Sequence, residues 1–290
     1  MEITIRNPKT EEAAALRHIW KTVFGTNDDE AFFNYYFKPS GCIAAGPESA
    51  PVSAGYFLPI GNIICGSHVI PCAMIYAVAT LPEHRRKGYG AAVVRALISA
   101  GEAAGYPAVI LCPSGDELFG YYSANTELRE WFYASERDYE LPLKATGQSG
   151  QSGLSRLSAE EYRVLRNTLL AGKPHVEADL RAIEYQNLLC GLSGGGLYRF
   201  ESSQGVSCAA VERAPGGMIW VKELLTSAGN EAEFVSAISA VYPGSVYRVR
   251  SMARSDNTAC KRFGMLAMPD ELCRELDTKC AFPWYGLAYD

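Results

Sequence analysis

No stretch of this sequence approaches the ~20 consecutive apolar residues that a bilayer span requires. The opening residues Met1–Arg6 carry no apolar leader core. The expectation is a soluble, cytoplasmic protein with no membrane partner. Of nine cysteines, no two stand in a C-x-x-C pair, which is the usual device for placing two thiolates on one structural zinc, so no metal is expected. Their odd number and irregular spacing (Cys42, Cys65, Cys72, Cys112, Cys190, Cys208, Cys260, Cys273, Cys280) read as free thiols in a reducing compartment. Charge is sparse as well. Charged residues make up 20% of the chain, and 27 Lys+Arg against 32 Asp+Glu give a net charge of -5. That balance speaks against a nucleic-acid partner.

What is present is a globular composition. The chain has 290 residues, 48% of them hydrophobic, enough for one large domain or two ordinary ones, with a core that needs no covalent staples. Alternation over 2–6 predicts a first strand, and Thr10 is placed to cap a helix whose apolar face is Leu16, Ile19, Trp20, Val23 and Phe24, ending at Gly25. An aromatic helix follows through Phe32–Phe37. Strands are predicted at 53–58, 73–79 and 109–112, with turns at Gly61-Asn62 and Gly66-Ser67. A helix built on Val93, Val94, Leu97 and Ile98 precedes Gly105, and a short one spans 117–123.

The Gly/Ser/Gln-rich segment 143–153 reads as a linker between residues 1–142 and residues 154–290. After it, Ser158-Ala159-Glu160-Glu161 forms a capping box. Strands at 197–200, 206–211 and 218–225, a helix at 231–240 and a strand at 245–251 then repeat the strand–strand–helix–strand order of the first half.

The chemistry is concentrated in residues 73–91. A buried strand leads into Arg85-Arg86-Lys87-Gly88-Tyr89-Gly90 and directly into a helix. Glycine permits positive φ and close approach of the backbone. The N–H groups of a helix's first turn have no partner within the helix, and with the helix dipole they favour an anion such as a pyrophosphate. A Walker A string is absent here, and Gly88-x-Gly90-x-x-Val93 fails the dinucleotide fingerprint at its last position. A tight, solvated basic turn is the plainer reading of the same residues.

Arg85-x-x-Gly88-x-Gly90 between strand and helix resembles the acyl-CoA loop of the GCN5-related N-acetyltransferases (GNAT), with Arg86 standing where many members have glycine. Leu118-Phe119-Gly120-Tyr121-Tyr122 resembles the family's Phe-Tyr element. The chain as a whole is similar to two-domain bacterial members of the enhanced-intracellular-survival type, although it is too short to hold their sterol-carrier-like domain. The implied fold is α/β (α+β), with tandem GNAT folds, each a mixed central sheet flanked by helices. The second is degenerate, because Thr226–Asn230 offers neither arginine nor a G-x-G.

The resemblance implies an N-acetyltransferase that moves an acetyl group from acetyl-CoA to a primary amine by direct attack. A catalytically silent acyl-CoA-binding or scaffold protein is the competing reading. The donor would be held by Val78, Ala79, Thr80, Arg85, Arg86, Lys87, Gly88, Tyr89, Gly90 and Ala91, with Ser114 either on the pantetheine arm or simply a turn residue. Tyr122 takes the place of the general acid, one register position from Tyr121. Trp20, Phe24, Phe33 and Tyr36 are candidate acceptor contacts or core, and the acidic run Asp28–Glu30 either attracts an amine or marks a helix start. Cys112 reads as inert core and His84 as a solvated loop residue. Two-domain members often associate, which implies a homo-oligomer. In longer members the terminal carboxylate reaches the active site, and the equivalent group here is Asp290.

Overall fold

A computed structural model describes residues 4–25, 28–47, 50–140, 153–227, 231–253, 260–277 and 283–290. Along the chain run β1 (Ile5–Arg6), α1 (Ala13–Phe24), α2 (Asp29–Tyr35), β2 (Cys42–Ala45), β3 (Ser53–Cys65), β4 (His68–Thr80), α3 (Tyr89–Ala103), β5 (Ala108–Leu111), α4 (Asp116–Asn125) and β6 (Arg129–Tyr139). They continue as β7 (Leu154–Arg156), α5 (Ala159–Leu170), β8 (His175–Ala178), α6 (Leu180–Leu192), β9 (Gly196–Ser202), β10 (Gly205–Arg213), β11 (Met218–Thr226), α7 (Glu231–Val241), β12 (Val246–Met252), β13 (Cys260–Ala267) and α8 (Asp270–Asp277).

The chain divides into two compact units. The first comprises residues 1–63, 68–131 and 263–279, and the second 64–67, 132–262 and 280–290. The segments interleave, so no single cut separates the units. The linker expected at 143–153 lies outside the described residues except for Gly153.

In the first unit the strand order is β1-β2-β3-β4-β5-β13, with β4 and β5 parallel and β13 antiparallel to β5. Side chains alternate across a strand, which places helices on both faces. Ile75 joins Val93, Val94, Leu97 and Ile98 of α3 and Phe119 and Tyr122 of α4 in one apolar cluster. Tyr76, one residue on, faces the other way, 5.7 Å from the ring of Trp20 on α1. Gly55 lets α3 lie against β3, since a Cβ there would meet Leu97 at 2.9 Å and Val93 at 3.0 Å.

Local expectations are met where a specific interaction enforces them. Gly25 closes α1 with φ 64°, and Gly105 follows α3 with φ 86°. Three expectations need correction. Thr10 opens a single turn, Thr10–Glu12, rather than capping α1, because Glu12 turns back to a bidentate pair with Arg6 (2.6 and 2.7 Å). That guanidinium holds the Glu12 carboxyl down at about 2. Gly61-Asn62 is not a turn, because Ile60 and Ile63 on either side are buried and β3 runs straight through. The cysteines are not all free either: Cys65 is disulfide-bonded, while Cys42, Cys72, Cys112, Cys190, Cys208, Cys260 and Cys273 are free thiols.

In the second unit the order is β6-β12-β11-β10-β9-β7, with only β11 and β12 parallel. The Ser158 hydroxyl accepts from Glu161 N while the Glu161 carboxylate accepts from Ser158 N, the reciprocal cap that the sequence predicts for α5. One face of the sheet buries Ile219, Val221 and Leu224 with Phe234, Val235 and Ile238 of α7.

The other face carries a buried ion pair. Arg166 donates to both oxygens of Glu223 (2.9 and 3.1 Å) and to the carbonyls of Val176 and Tyr285 (2.8 and 3.0 Å). Glu223 also accepts from the Tyr162 hydroxyl and the Trp284 indole, each at 2.7 Å. A charge pair this deep is tolerable only when its polar groups are answered, and here four of the five Arg166 N–H groups donate and each Glu223 oxygen accepts twice. The terminal segment is drawn into the same structure, since Val176 N donates to Trp284 O (2.7 Å) and Trp284 N to Pro174 O (2.9 Å).

Two outcomes follow. Arg166→Met strands a buried carboxylate and is expected to destabilise the second unit by about 3–5 kcal/mol, whereas Arg166→Met with Glu223→Leu recovers most of that loss. Urea midpoints measure both. The second outcome concerns His175 on β8. Its Nδ1 lies 2.7 Å from Lys173 O and its Nε2 is buried without a hydrogen-bond partner among the described residues, so burial holds the imidazole below its ordinary 6.5. The unfolded chain therefore takes up the proton first as pH falls. Stability from neutral His175 is complete above about pH 6.5 and is lost through more acid values. His175→Asn should flatten the fall in Tm between pH 7 and pH 5; an unchanged slope contradicts this account.

Candidate active site

The site begins where two parallel strands separate. β4 and β5 pair only from Cys72–Ala108 to Ile75–Leu111. β5 then ends, and β4 continues through Tyr76–Thr80 without that partner. Exposure follows the pairing: Cys72–Ile75 are buried, and Tyr76, Ala77 and Val78 become partly exposed. Ala77 has φ 50°, a left-handed conformation rare for a residue with a Cβ.

The opposite edge of the strand is pinned. The Ser53 hydroxyl donates to Ala79 O (2.9 Å) and meets Thr80 Oγ1 (2.8 Å), and Leu81 N donates to Val52 O (2.9 Å). β4 therefore holds to β3 on one side and leaves main-chain groups of Tyr76–Thr80 facing an open gap on the other.

Above the gap the chain makes a single turn at Pro82–His84, and α3 begins at Tyr89. Gly88 is its N-cap, with φ 83° and no side-chain cap. Ala92 N reaches Gly88 O at 3.1 Å to close the first turn. The N–H groups of Tyr89, Gly90 and Ala91 thus have no carbonyl of their own helix to bond. A Cβ on Gly90 would lie 3.4 Å from the Tyr121 hydroxyl and 3.8 Å from Thr80 Oγ1, so this glycine keeps open the space between α3, α4 and the end of β4.

Two of the loop's three cations are tied back to it: Arg85 Nε donates to Thr80 O (3.2 Å) and Lys87 Nζ to Glu83 O (2.9 Å). His84 lies edge-on to Tyr89 at 6.2 Å.

The structure thus brings Val78, Ala79, Thr80 and Arg85–Ala91 together around one gap. α4 adds two tyrosines. Tyr121 is 39% exposed, with its hydroxyl over Gly90, whereas Tyr122 is 7% exposed and sits in the α3–α4 apolar cluster. Burial pushes the Tyr122 phenol up to about 12. Ser114 is exposed in the turn between β5 and α4, and Cys112, one residue past β5, is partly exposed.

Trp20, Phe33 and Tyr36 are buried in an aromatic cluster with Phe32 and Tyr56, while Phe24 lies at its edge, 37% exposed. Asp29 is paired with Arg17 (3.2 Å) and Lys21 (3.4 Å), so its charge is already answered within the helices. Asp290 is held in the second unit: burial pushes its carboxyl up, but Arg250 (2.9 and 2.5 Å) and Lys222 (3.9 Å) hold it well below the usual range.

Ser53 and Ala77 were not anticipated. A serine opening a strand and an alanine inside an apolar run carry no signal by residue type; only the pairing pattern reveals them. The second unit differs: β11 and β12 pair from Met218–Val246 to Val221–Val249, shift register at Lys222 and Glu223, and pair again at Leu224–Ser251. The first turn of α7 carries Glu231 and Glu233, the wrong sign for an anion. Residues 228–230 of its connecting loop lie outside the described residues. Among the described residues no helix is long and apolar enough to cross a membrane.

Residues 4–124 match the family model of the acetyltransferase (GNAT) domain. The chain is similar in fold to a GCN5-related N-acetyltransferase from Anabaena variabilis, with a TM-score of 0.66 and 15% identity over 91% of this chain and 72% of that one. A probable N-acyltransferase of unknown function from Enterococcus faecalis gives 0.64 and 13%, over 92% and 72%. Eis1 from Mycobacterium abscessus gives 0.57 and 12%, over 92% and 73%. No curated protein matches the sequence. The loop, the parted strands and α3 all lie within residues 4–124, the part of the chain that matches the acetyltransferase (GNAT) domain model.

Proposed function

We propose that the first unit transfers an acetyl group from acetyl-CoA to a primary amine of a small molecule or peptide, by direct attack. The observation that carries this reading is the parting of β4 from β5 beneath an uncapped helix N-terminus. A pyrophosphate on the N–H groups of Gly88–Ala91 is favoured by the free donors and the helix dipole. The pantetheine arm, which is itself an amide chain, can replace the missing strand by bonding to the open edge of β4. The thioester carbonyl then lies near the N–H groups of Val78 and Ala79, where a fixed donor stabilises the oxyanion that builds in the transition state.

The amine nitrogen bonds to the carbonyl carbon, the C–S bond breaks, and the sulfur leaves with the bonding pair. That thiolate needs a proton. We assign it to Tyr122, a phenol kept fully protonated by burial. Tyr121, with its hydroxyl over Gly90, is assigned to the donor channel. The excess proton on the acylated nitrogen passes to solvent. The second unit, in which β11 and β12 pair again at Leu224–Ser251 after a register shift and in which α7 starts with acidic residues, is assigned no donor site.

Thermal unfolding with acetyl-CoA tests the reading. A ligand at a hundredfold excess over its Kd stabilises the folded state by about 2.7 kcal/mol. The wild type is expected to show this rise, and Gly88→Glu, measured against its own ligand-free Tm, to lose it. No rise at millimolar acetyl-CoA refutes the proposal. Release of free thiol across an amine panel then separates an enzyme from a silent acyl-CoA binder.

The tyrosines divide by kinetics. Tyr122→Phe should lower kcat by about a hundredfold or more with little change in KM for acetyl-CoA, the range of a lost general acid. Tyr121→Phe should chiefly raise that KM. The reverse pattern transfers the acid to Tyr121.

A further inference from the structure

The first unit buries a pair of hydrogen-bond donors that meet no acceptor. Both stand on β6 at alternate positions, so they share one face of the strand. Trp131 is 8% exposed, and its indole Nε1 is buried without a hydrogen-bond partner among the described residues. Arg129 is half-buried, and its Nη2 is buried in the same condition. Among the described residues no carboxylate pairs with that guanidinium. Its Cζ lies over the Trp131 ring, 5.4 Å from the centroid. A ring face attracts the cation, but it offers no lone pair to an N–H.

A surface arginine with nothing to hold carries its head out to water. Here one edge of the head stays on the dry side, beside an indole N–H that is also unanswered. Buried donors of this kind call for an acceptor. Both groups only donate, and one carries a permanent positive charge, so the acceptor they fit is an anion. A carboxylate meets a planar guanidinium edge through paired, parallel bonds and keeps a lone pair for the indole. The half-exposed Arg129 gives it a way in from solvent. We propose that Arg129 and Trp131 form a binding site for a small molecule that bears a carboxylate. The site is separate from the gap beside β4, because β5 and β13 stand between β4 and β6 in the sheet. It requires neither acetyl-CoA nor turnover.

The test follows the indole N–H signals of the full chain by NMR. The chain has four tryptophans, so four such signals are expected, and Trp131→Phe identifies the one that belongs to Trp131. The probes are sodium acetate and sodium benzoate, with sodium chloride and inorganic phosphate at matched ionic strength. Each carboxylate is expected to move the Trp131 signal downfield and saturably, with a Kd in the millimolar range, while the signals of Trp20, Trp220 and Trp284 stay in place. Arg129→Gln should weaken that binding about tenfold, the order of one charge-assisted pair, and Arg129→Lys should retain part of it. The ligand-free Tm of Arg129→Gln should not fall, since the lost donor had no acceptor. If Trp131→Phe does not fold, the signal is identified as the one that Arg129→Gln displaces, because the guanidinium lies over that ring.

A Trp131 signal that no carboxylate moves leaves the donors to water and overturns the proposal. So does an equal response to chloride, which marks an effect of ionic strength. Carboxylate binding that Arg129→Gln leaves unchanged overturns it as well. A response to phosphate alone overturns the assignment to a carboxylate.

Discussion

A parallel sheet satisfies its main-chain groups by running each strand beside a neighbour, and interrupting that arrangement is expensive. β4 is interrupted for five residues, Tyr76–Thr80, beside a helix that must stay in place. Everything else in the site follows from keeping that interruption open. Ser53 anchors the strand's closed edge, Ala77 accepts a left-handed backbone, Gly90 keeps a Cβ out of the space, and α3 is clamped to the sheet through Gly55 and the cluster around Val93 and Leu97. A strand edge left without a neighbouring strand is useful to a ligand that is itself an amide chain.

The second unit shows the same kind of sheet with only a short interruption. Its parallel pair shifts register after Val221–Val249 and rejoins at Leu224–Ser251, and the buried residue inside that shift is Glu223. On that face the unit has a closed network of Arg166, Glu223, Tyr162 and Trp284. Open polar groups available to a ligand and closed polar groups available only to each other are alternative uses of a sheet face. A network this deep confers a unique arrangement more than net stability. Its reach into the terminal segment through Trp284 and Tyr285 makes the last residues part of that unit's interior.

How much of this was legible in the sequence depended on range. Local rules were readable: Gly25 and Gly105 ending helices, the Ser158–Glu161 cap, the apolar stripe of α3, the uncapped glycine at Gly88. The loop was readable because glycine and arginine are required there by conformation and charge. The Thr10 cap and the Gly61-Asn62 turn were misread because contacts outside the local window decided them, Arg6 in the one case and the burial of Ile60 and Ile63 in the other. β6, α6 and β13 lacked a clear period. The interleaving of the two units has no local signature, since it depends on which distant strands share an edge. The parting of β4 from β5 was invisible for the same reason: a uniformly apolar run says that a strand is buried and not where its partner stops.

That invisibility explains the low identity at which the fold persists. In the proposed acetyl-CoA reading the anion site would consist of N–H groups, the carbonyl-polarising donors would be N–H groups, and the pantetheine arm would lie on an unpaired strand edge. Main-chain groups are the same for every residue except proline, so the sequence is constrained only where a Cβ would intrude, where φ is positive, or where a charge is needed. Identities of 12–15% with TM-scores of 0.57–0.66 show the fold persisting where most side chains differ. On this view, informative departures are those that break a backbone preference without a packing reason. Ala77 and Arg86 are departures of that kind among the described residues: Ala77 stands where β4 runs on past its pairing with β5, and Arg86 in the turn that leads from β4 into α3.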